Sequence, residues 1–92
     1  MTSGTKTNTV TLRYFAWVRE KIGFAEEEIF LPAEVATVAE LIVWLKTRGE
    51  TYQAAFDKPE VVRTALDQTH ARADTPIANA REIAFFPPVT GG

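Results

Sequence analysis

The sequence predicts an α+β fold in which a mixed sheet of four to five strands packs against one main helix. Three observations support this fold class: two strand-like segments early in the chain, one amphipathic helix in the middle, and a short apolar segment near the end. The length of 92 residues suits a single domain spanning residues 1–92. A content of 46% hydrophobic and 24% charged residues is typical of a globular chain rather than a disordered one.

Two strands are predicted ahead of the main helix. Residues 10–15 alternate apolar and polar side chains, which is the period of a half-buried strand. Residues 16–22 are predicted to form a short helical turn that ends at Gly23, a residue suited to the left-handed position after a helix. Residues 26–31 form the second strand candidate, which Pro32 ends. The two strands are close enough in sequence to pair in the antiparallel sense.

The main helix is predicted to begin after Thr37. Thr37 and Glu40 have the spacing of a capping box, in which each side chain binds a backbone N–H of the other residue. Lys46 and Arg48 lie in the last turn, where cations complement the helix dipole, and Gly49 ends the helix. The predicted buried face consists of Val38, Leu41, Ile42 and Leu45, widened by Val43 and Trp44.

The second half of the chain gives weaker signals. We predict a short turn at residues 52–56, a third strand at 61–66 and a polar loop at 67–80. Residues 82–86 are a short apolar strand that ends at two prolines, which cannot donate backbone hydrogen bonds. If the first and last strands are parallel neighbours in the middle of the sheet, residues 87–92 leave one end of it as a protruding tail. Residues 1–8 are predicted to be a polar extension.

Composition excludes several classes of function. A net charge of −2 without a basic stripe argues against binding to nucleic acid. No apolar run is long enough for a membrane span, and the first residues lack a signal core, so the cytoplasm is the expected location. The absence of cysteine excludes disulfides, cysteine-based zinc or iron–sulfur sites and a thiol nucleophile.

The body of the domain shows no catalytic group. His70 is the single histidine and is expected to lie on the surface in a polar loop, so no metal site is predicted. The run Glu26-Glu27-Glu28 is expected to form a solvated edge, because consecutive strand residues point to opposite faces and the three carboxylates cannot converge.

The end of the chain is the most informative feature. At ordinary glycine usage, a chance Gly-Gly in the last two positions has odds of about 0.5%. Gly91 and Gly92 carry no side chain and adopt φ of either sign, so they can enter a narrow channel and present the terminal carboxylate there. Phe85 and Phe86 point to opposite faces of a strand, which predicts one core residue and one exposed anchor for a partner.

Three segments together resemble the small subunit of molybdopterin synthase, a ubiquitin-like sulfur carrier of the β-grasp fold. They are Tyr14-Phe15-Ala16-Trp17-Val18-Arg19-Glu20, the capped helix, and Phe85-Phe86-Pro87-Pro88-Val89-Thr90-Gly91-Gly92. The similarity extends from Val10 to Gly92. It implies that an adenylating enzyme related to E1 enzymes uses ATP to activate the carboxylate of Gly92. A sulfurtransferase carrying a persulfide then leaves a thiocarboxylate there, and no cofactor stays bound to the carrier.

The same resemblance implies the residues that meet partners. Phe15, Arg19 and Phe86, followed by Pro87 and Pro88, match positions that contact the synthase large subunit. The tail that enters the large subunit's active site matches Val89, Thr90, Gly91 and Gly92. There the thiocarboxylate would donate sulfur to cyclic pyranopterin monophosphate and form the dithiolene of molybdopterin. The assembly implied is a heterotetramer of two small and two large subunits.

Two positions depart from the family pattern. Asn79-Ala80-Arg81 replaces a frequent Asp-Gly-Asp turn, so a positive φ at Ala80 would carry strain, and Asp67 replaces a frequent Asn. Three alternatives stay open from sequence: a carrier for thiamin or tRNA thiolation, a ubiquitin-like protein modifier, or a binding module whose Gly-Gly is incidental.

Overall fold

The computed structural model describes residues 9–88. The predicted N-terminal extension and residues 89–92 of the predicted tail lie outside them. Within the described range the chain forms five strands, three α-helices and one 3-10 turn, and these are, in order, β1 (Thr9–Tyr14), α1 (Ala16–Ile22), β2 (Glu26–Phe30), α2 (Val38–Lys46), α3 (Glu50–Ala55), the 3-10 turn (Pro59–Val61), β3 (Arg63–Leu66), β4 (Thr69–Ala71) and β5 (Glu82–Phe86).

The five strands form one mixed sheet in the order β2-β1-β5-β3-β4. β1 pairs in parallel with β5, and the other neighbours are antiparallel. The predicted antiparallel pair and the predicted parallel central pair are both confirmed. Because β1 and β5 run in the same direction, Tyr14 and Phe85 lie side by side at the end of the sheet from which the chain leaves β5.

One face of the sheet packs against the helices to make the core. Leu12, Ile83 and Phe85 from the sheet and Leu41 and Leu45 from α2 are completely buried. The predicted start of α2 and its four buried residues are confirmed, but the helix ends at Lys46, so Arg48 lies beyond its last turn. Trp44 is half-buried and Val43 is 65% exposed. Val43 lies two positions from Leu41, about 200° around the helix, which directs it away from the sheet.

The capping box at the start of α2 is present. The backbone N–H of Glu40 donates to Thr37 Oγ1 at 3.2 Å, and the backbone N–H groups of Thr37 and Ala36 donate to Glu40 Oε1 at 3.3 and 2.8 Å. This arrangement satisfies donors that a helix start leaves without partners inside the helix.

The region after α2 differs from prediction in three places. Residues 50–55 form a helix rather than a turn, and residues 59–61 form a 3-10 turn, so the third strand starts only at Arg63. The predicted loop at 67–80 contains β4, which pairs with β3 through a two-residue turn. Asp67 and Gln68 form that turn with φ values of 49° and 73°, the conformation favoured in tight hairpins. No glycine marks the turn in the sequence, so the hairpin was missed.

The strain that a positive φ at Ala80 would carry does not arise. Among the described non-glycine residues, positive φ occurs at Ala16, Asp67 and Gln68, so neither Asn79 nor Ala80 adopts it. Asp67 holds the start of β5 instead. Its Oδ1 accepts from the backbone N–H groups of Arg81 and Glu82 at 3.0 and 2.9 Å, and its own N–H donates to the carbonyl of Glu82 at 2.8 Å.

Asp67→Ala is expected to lower the free energy of unfolding by about 1–2 kcal/mol, because two backbone donors lose a charged acceptor. Asp67→Asn is expected to stay within about 0.5 kcal/mol of the parent, since the amide oxygen still accepts and Asn tolerates the left-handed conformation. Urea unfolding of the three proteins measures both values. Equal losses for the two variants would show that the side-chain acceptor does not hold β5.

Candidate functional site

The residues predicted to meet partners gather at one end of the sheet. Phe15 follows β1 directly and Phe86 is the last residue of β5, and the backbone N–H of Phe15 donates to the carbonyl of Phe85 at 3.1 Å. Pro87 and Pro88 continue from β5 and are half-buried. Two chain segments far apart in sequence therefore meet at this end because the central strands are parallel.

Arg19 reaches the same end through the start of α1. The carbonyl of Phe15 accepts from the N–H groups of Val18 and Arg19 at 3.1 and 3.3 Å, so the helix begins immediately at Phe15. This tight start requires φ = 54° at Ala16, a left-handed conformation that disfavours any residue with a Cβ. The surface formed by Phe15, Arg19, Phe86, Pro87 and Pro88 is called the terminal edge below.

The two phenylalanines before the prolines divide between core and surface as predicted. Phe85 is completely buried, with its ring stacked on Tyr14 at 6.0 Å and edge-on to Phe56 at 5.0 Å. Phe86 is half-buried on the opposite face, where the exposed His70 ring meets it edge-on at 5.8 Å. His70 is on the surface as predicted, although it belongs to β4 rather than to a loop. Contact of Phe86 with a partner stays a prediction.

The tail residues Val89, Thr90, Gly91 and Gly92 lie outside the described residues. The structure therefore bears on the base of the tail and on the surface around it. Phe15 is 41% exposed at that base, and the guanidinium of Arg13 lies 5.7 Å from its ring centre. An exposed aromatic ring beside an exposed arginine is typical of the residues that carry binding energy at protein interfaces.

The sheet face next to the terminal edge carries charges of both signs. Arg13 forms ion pairs with Glu26 at 3.6 Å and with Glu82 at 3.5 Å. These pairs are partly exposed and contribute at most about 1 kcal/mol each to stability. Arg13 lies beside Ala84, which in turn pairs with Ala65 in the middle of the face. This face therefore suits a protein surface better than a polyanion.

The surroundings of the Glu27 side chain were not predicted from the sequence. The expectation of a solvated edge fits the exposed Glu26 and Glu28 but is wrong for Glu27, whose side chain is 15% exposed. Its Oε2 accepts from the hydroxyls of Tyr14 and Tyr52 at 2.8 and 2.7 Å, and its Oε1 from Arg48 Nη1 at 3.1 Å. Strand alternation places Glu27 on the same side as the buried Ile29, and this was the available signal.

Glu27, Tyr14, Tyr52 and Arg48 form a cluster in which the pKa values of both tyrosines are raised. Burial, reinforced by the hydrogen bond to Glu27, raises the pKa of Tyr14 well above its ordinary value. The same two causes raise the pKa of Tyr52 to about 12. The guanidinium of Arg48 lies over the rings of Trp44 and Tyr52 at 5.4 and 5.1 Å. The cluster ties β1, β2 and the α2–α3 segment together.

The part of the chain that the structure describes contains neither a metal-binding cluster nor a membrane-spanning helix. Residues 9–88 contain no group of three or more acidic or histidine side chains placed to hold a metal ion. None of the helices in that range is both long and apolar enough to cross a bilayer.

Comparison with known proteins decides the family. The sequence profile of the ThiS family matches residues 12–92, from the second half of β1 to the last glycine. The chain belongs to the ThiS family. The resemblance drawn from its sequence is confirmed by two curated relatives.

Both relatives are molybdopterin synthase sulfur carrier subunits. The Haemophilus influenzae protein is 37% identical over 79 residues, which cover 86% of this ThiS-family chain and 94% of the relative. The Escherichia coli protein is 32% identical over 83 residues, covering 90% of this chain and 99% of the relative. The match thus includes nearly the whole length of each relative.

Solved structures confirm the β-grasp fold. A Pyrococcus furiosus protein assigned as molybdopterin converting factor subunit 1 superposes with a TM-score of 0.69 at 30% identity, over 88% of this chain and 98% of that one. The small archaeal modifier protein SAMP1 of Haloferax volcanii gives a TM-score of 0.67 at 20% identity, over 91% and 99%. At that identity the second likeness concerns the fold alone.

Proposed function

We propose that this ThiS-family chain is the sulfur carrier subunit of a molybdopterin synthase and that it carries sulfur as a thiocarboxylate on Gly92. The observation that supports this most is the family match through residue 92, together with relatives of nearly equal length that are sulfur carrier subunits of that enzyme. The terminal carboxylate is then the reacting group, and the folded body presents it to other proteins.

The composition agrees with this chemistry. The chain has no cysteine, so it must hold sulfur on an atom other than a thiol. A carboxylate is unreactive toward sulfur nucleophiles until it is activated. In the proposed cycle the Gly92 carboxylate attacks the α-phosphate of ATP on an E1-like adenylating enzyme and releases pyrophosphate. The terminal sulfur of a sulfurtransferase persulfide then attacks the acyl-adenylate and displaces AMP, which gives an acyl disulfide. A second thiol of the partner proteins attacks the sulfurtransferase sulfur of that bond, forms a disulfide with it and releases the thiocarboxylate, so ATP is used by a partner and no cofactor stays on this chain.

The terminal edge is the proposed docking surface for the large subunit. Phe15, Arg19 and Phe86 would contact it, with Pro87 and Pro88 directing residues 89–92 into its active site. Two consecutive prolines lack backbone donors and hold an extended geometry, so Pro87 and Pro88 cannot continue the pairing of β5. We place in the cytoplasm both the donation of sulfur to cyclic pyranopterin monophosphate and a heterotetramer of two small and two large subunits.

Intact-mass measurement tests the reacting group. After incubation with ATP, the adenylating enzyme and a sulfur source, we expect the chain to gain about 16 Da at its C-terminal peptide, since sulfur replaces oxygen. A chain lacking Gly91 and Gly92 is the matched control and should gain nothing. No gain in the full chain, under conditions that thiolate a known carrier, would refute the proposal.

Protein modification is a second candidate, because the same fold is used by a small archaeal modifier. It predicts that the Gly92 carboxylate becomes joined to lysine side chains of other proteins. Mass spectrometry of lysate digests would then show isopeptide-linked remnants of the tail on lysines. The same carrier chemistry could also feed thiamin or tRNA thiolation, which complementation of strains lacking each pathway distinguishes.

A further inference from the structure

The outer face of the sheet, opposite the face that packs on the helices, has charges of opposite sign at opposite corners. The strand register joins one outward-facing residue of each strand into a row across the whole face, and the row consists of Glu26, Arg13, Ala84, Ala65 and His70. Two alanines occupy the middle of this row. Their short side chains allow a second flat surface to approach the sheet closely there.

One corner of the outer face is basic. Arg63 lies directly opposite Phe86 in the register, and the next position along the β3–β4 register places Arg72 opposite Arg63. Both arginines are exposed, and the ion pairs found among residues 9–88 use neither of them. Two neighbouring guanidinium groups of this kind are suited to bind carboxylates.

The diagonally opposite corner is acidic and aromatic. Glu28 is exposed, lies opposite Thr11 in the register, and takes part in none of the ion pairs found in the described range. Phe30 follows it on the same face of β2 and is 68% exposed. An arginine placed here could pair with the carboxylate and lie against the ring.

The two corners are arranged symmetrically about Ala84. Arg72 lies two strands and two residues from Ala84 in one direction, and Glu28 lies two strands and two residues from it in the other. With about 4.8 Å between strands and about 3.3 Å per residue, each is roughly 12 Å from Ala84. A two-fold axis that passes over Ala84 at right angles to this diagonal therefore places Arg72 of each copy on Glu28 of the other. It also places Arg63 of each copy between Glu26 and Glu28 of the other.

We propose that this ThiS-family chain forms a homodimer through the outer face of its sheet, with the arginine corner of each copy on the Glu28–Phe30 corner of the other. A second copy fits because one face carries both halves of the contact, so each ion pair forms twice. The face measures roughly 20 by 20 Å, so two copies would bury on the order of 1,000 Å², which suits a weak and reversible dimer.

The assignment does not depend on the sulfur carrier function. Phe86 lies beside Arg63 on the same face, so the second copy would cover part of the terminal edge. The homodimer and the docking of a large subunit at that edge would then exclude each other.

Sedimentation of the whole chain tests the proposal. At low salt, the weight-average mass is expected to rise from one chain toward two between about 10 µM and about 1 mM protein. Added salt at about 0.5 M should weaken the association, because the ion pairs are exposed at their rim. Amide NMR over the same range should show shifts at Glu28, Ala84 and Arg72. A mass that stays at one chain up to about 1 mM, or shifts confined to the helices, would overturn the proposal.

Two charge reversals test the two-fold geometry. Arg72→Glu places two carboxylates together at both contacts, and Glu28→Arg places two guanidinium groups together, so each variant alone should dimerise at least tenfold more weakly than the parent. In a mixed dimer of the two variants, both contacts again join opposite charges. An equimolar mixture should therefore dimerise within about threefold of the parent. No recovery in the mixture would contradict the assigned geometry.

Matched controls separate the corners from the net charge. Lys21→Glu in α1 and Glu34→Arg between β2 and α2 change the net charge by the same amounts at exposed positions outside the face. Each should dimerise within about twofold of the parent. Thermal melting of all four variants shows that they remain folded, as expected for exposed positions. Equal losses in the controls and in the corner variants would refute the interface.

Discussion

Glu27→Ala is expected to lower the free energy of unfolding by roughly 2–4 kcal/mol, a large share of the stability of a domain this size. The substitution removes the acceptor shared by the hydroxyls of Tyr14 and Tyr52 and the partner of Arg48. Two phenol groups that are mostly buried would then lack a bond. The measurement is urea unfolding at neutral pH, with the slope of the transition checked for two-state behaviour.

The neighbouring carboxylates provide the control. Glu28 is exposed on the same strand, so Glu28→Ala should change the free energy of unfolding by less than about 0.5 kcal/mol. Glu27→Gln should fall between the two, because its amide oxygen can accept one hydroxyl while the charge that attracts Arg48 is lost. Equal stabilities for Glu27→Ala and Glu28→Ala would mean that the cluster does not hold the strands together.

Alkaline pH provides a second readout of the same cluster. The folded pKa values of Tyr14 and Tyr52 lie above the unfolded value near 10, and that of Tyr52 is about 12. A raised folded pKa gives stability that is complete below the unfolded value and is lost as pH rises through the folded value. The urea midpoint should therefore fall steeply between about pH 10 and 12, and the fall should be shallower in Tyr52→Phe.

Local signals in the sequence predicted most of the fold. The capping residues Thr37 and Glu40 fixed the start of α2, and the alternation of Leu12 and Tyr14 identified the buried face of β1. Such features depend on neighbours within about one helical turn or one strand, and they are readable without tertiary structure. The hairpin at Asp67 was missed because its left-handed turn contains no glycine, the residue that usually marks one.

The candidate sites, too, include one that local sequence predicts and one that depends on residues far apart in the chain. The opposite orientations of Phe85 and Phe86 follow from strand geometry alone, so the base of the tail could be placed from sequence. The Glu27 cluster could not, since its donors lie 13, 21 and 25 residues away from the carboxylate.

Phe85→Ala is expected to cost about 3–5 kcal/mol of stability, because a completely buried ring leaves a cavity between Tyr14 and Phe56. Phe86→Ala should cost no more than about 1.5 kcal/mol, since the ring is half-buried and its aromatic neighbour is the exposed His70. Urea unfolding of both variants gives the comparison. The two substitutions are chemically identical and adjacent, so any difference comes from the face of the sheet.

Binding to the large subunit is expected to be weakened more by Phe86→Ala than by Phe85→Ala, the reverse of their order in stability. If the terminal edge docks the synthase large subunit, Phe86→Ala should weaken the complex by at least tenfold, as truncation of an interface aromatic commonly does. Calorimetric titration of the purified subunits at a temperature where both variants are folded measures this. Folded Phe85→Ala should bind within about threefold of the parent, because its ring faces the core and the backbone carbonyl that accepts from Phe15 is retained. Tight binding by Phe86→Ala would remove Phe86 from the docking surface, and a large loss in Phe85→Ala alone would mean that the core ring acts by holding the edge in place.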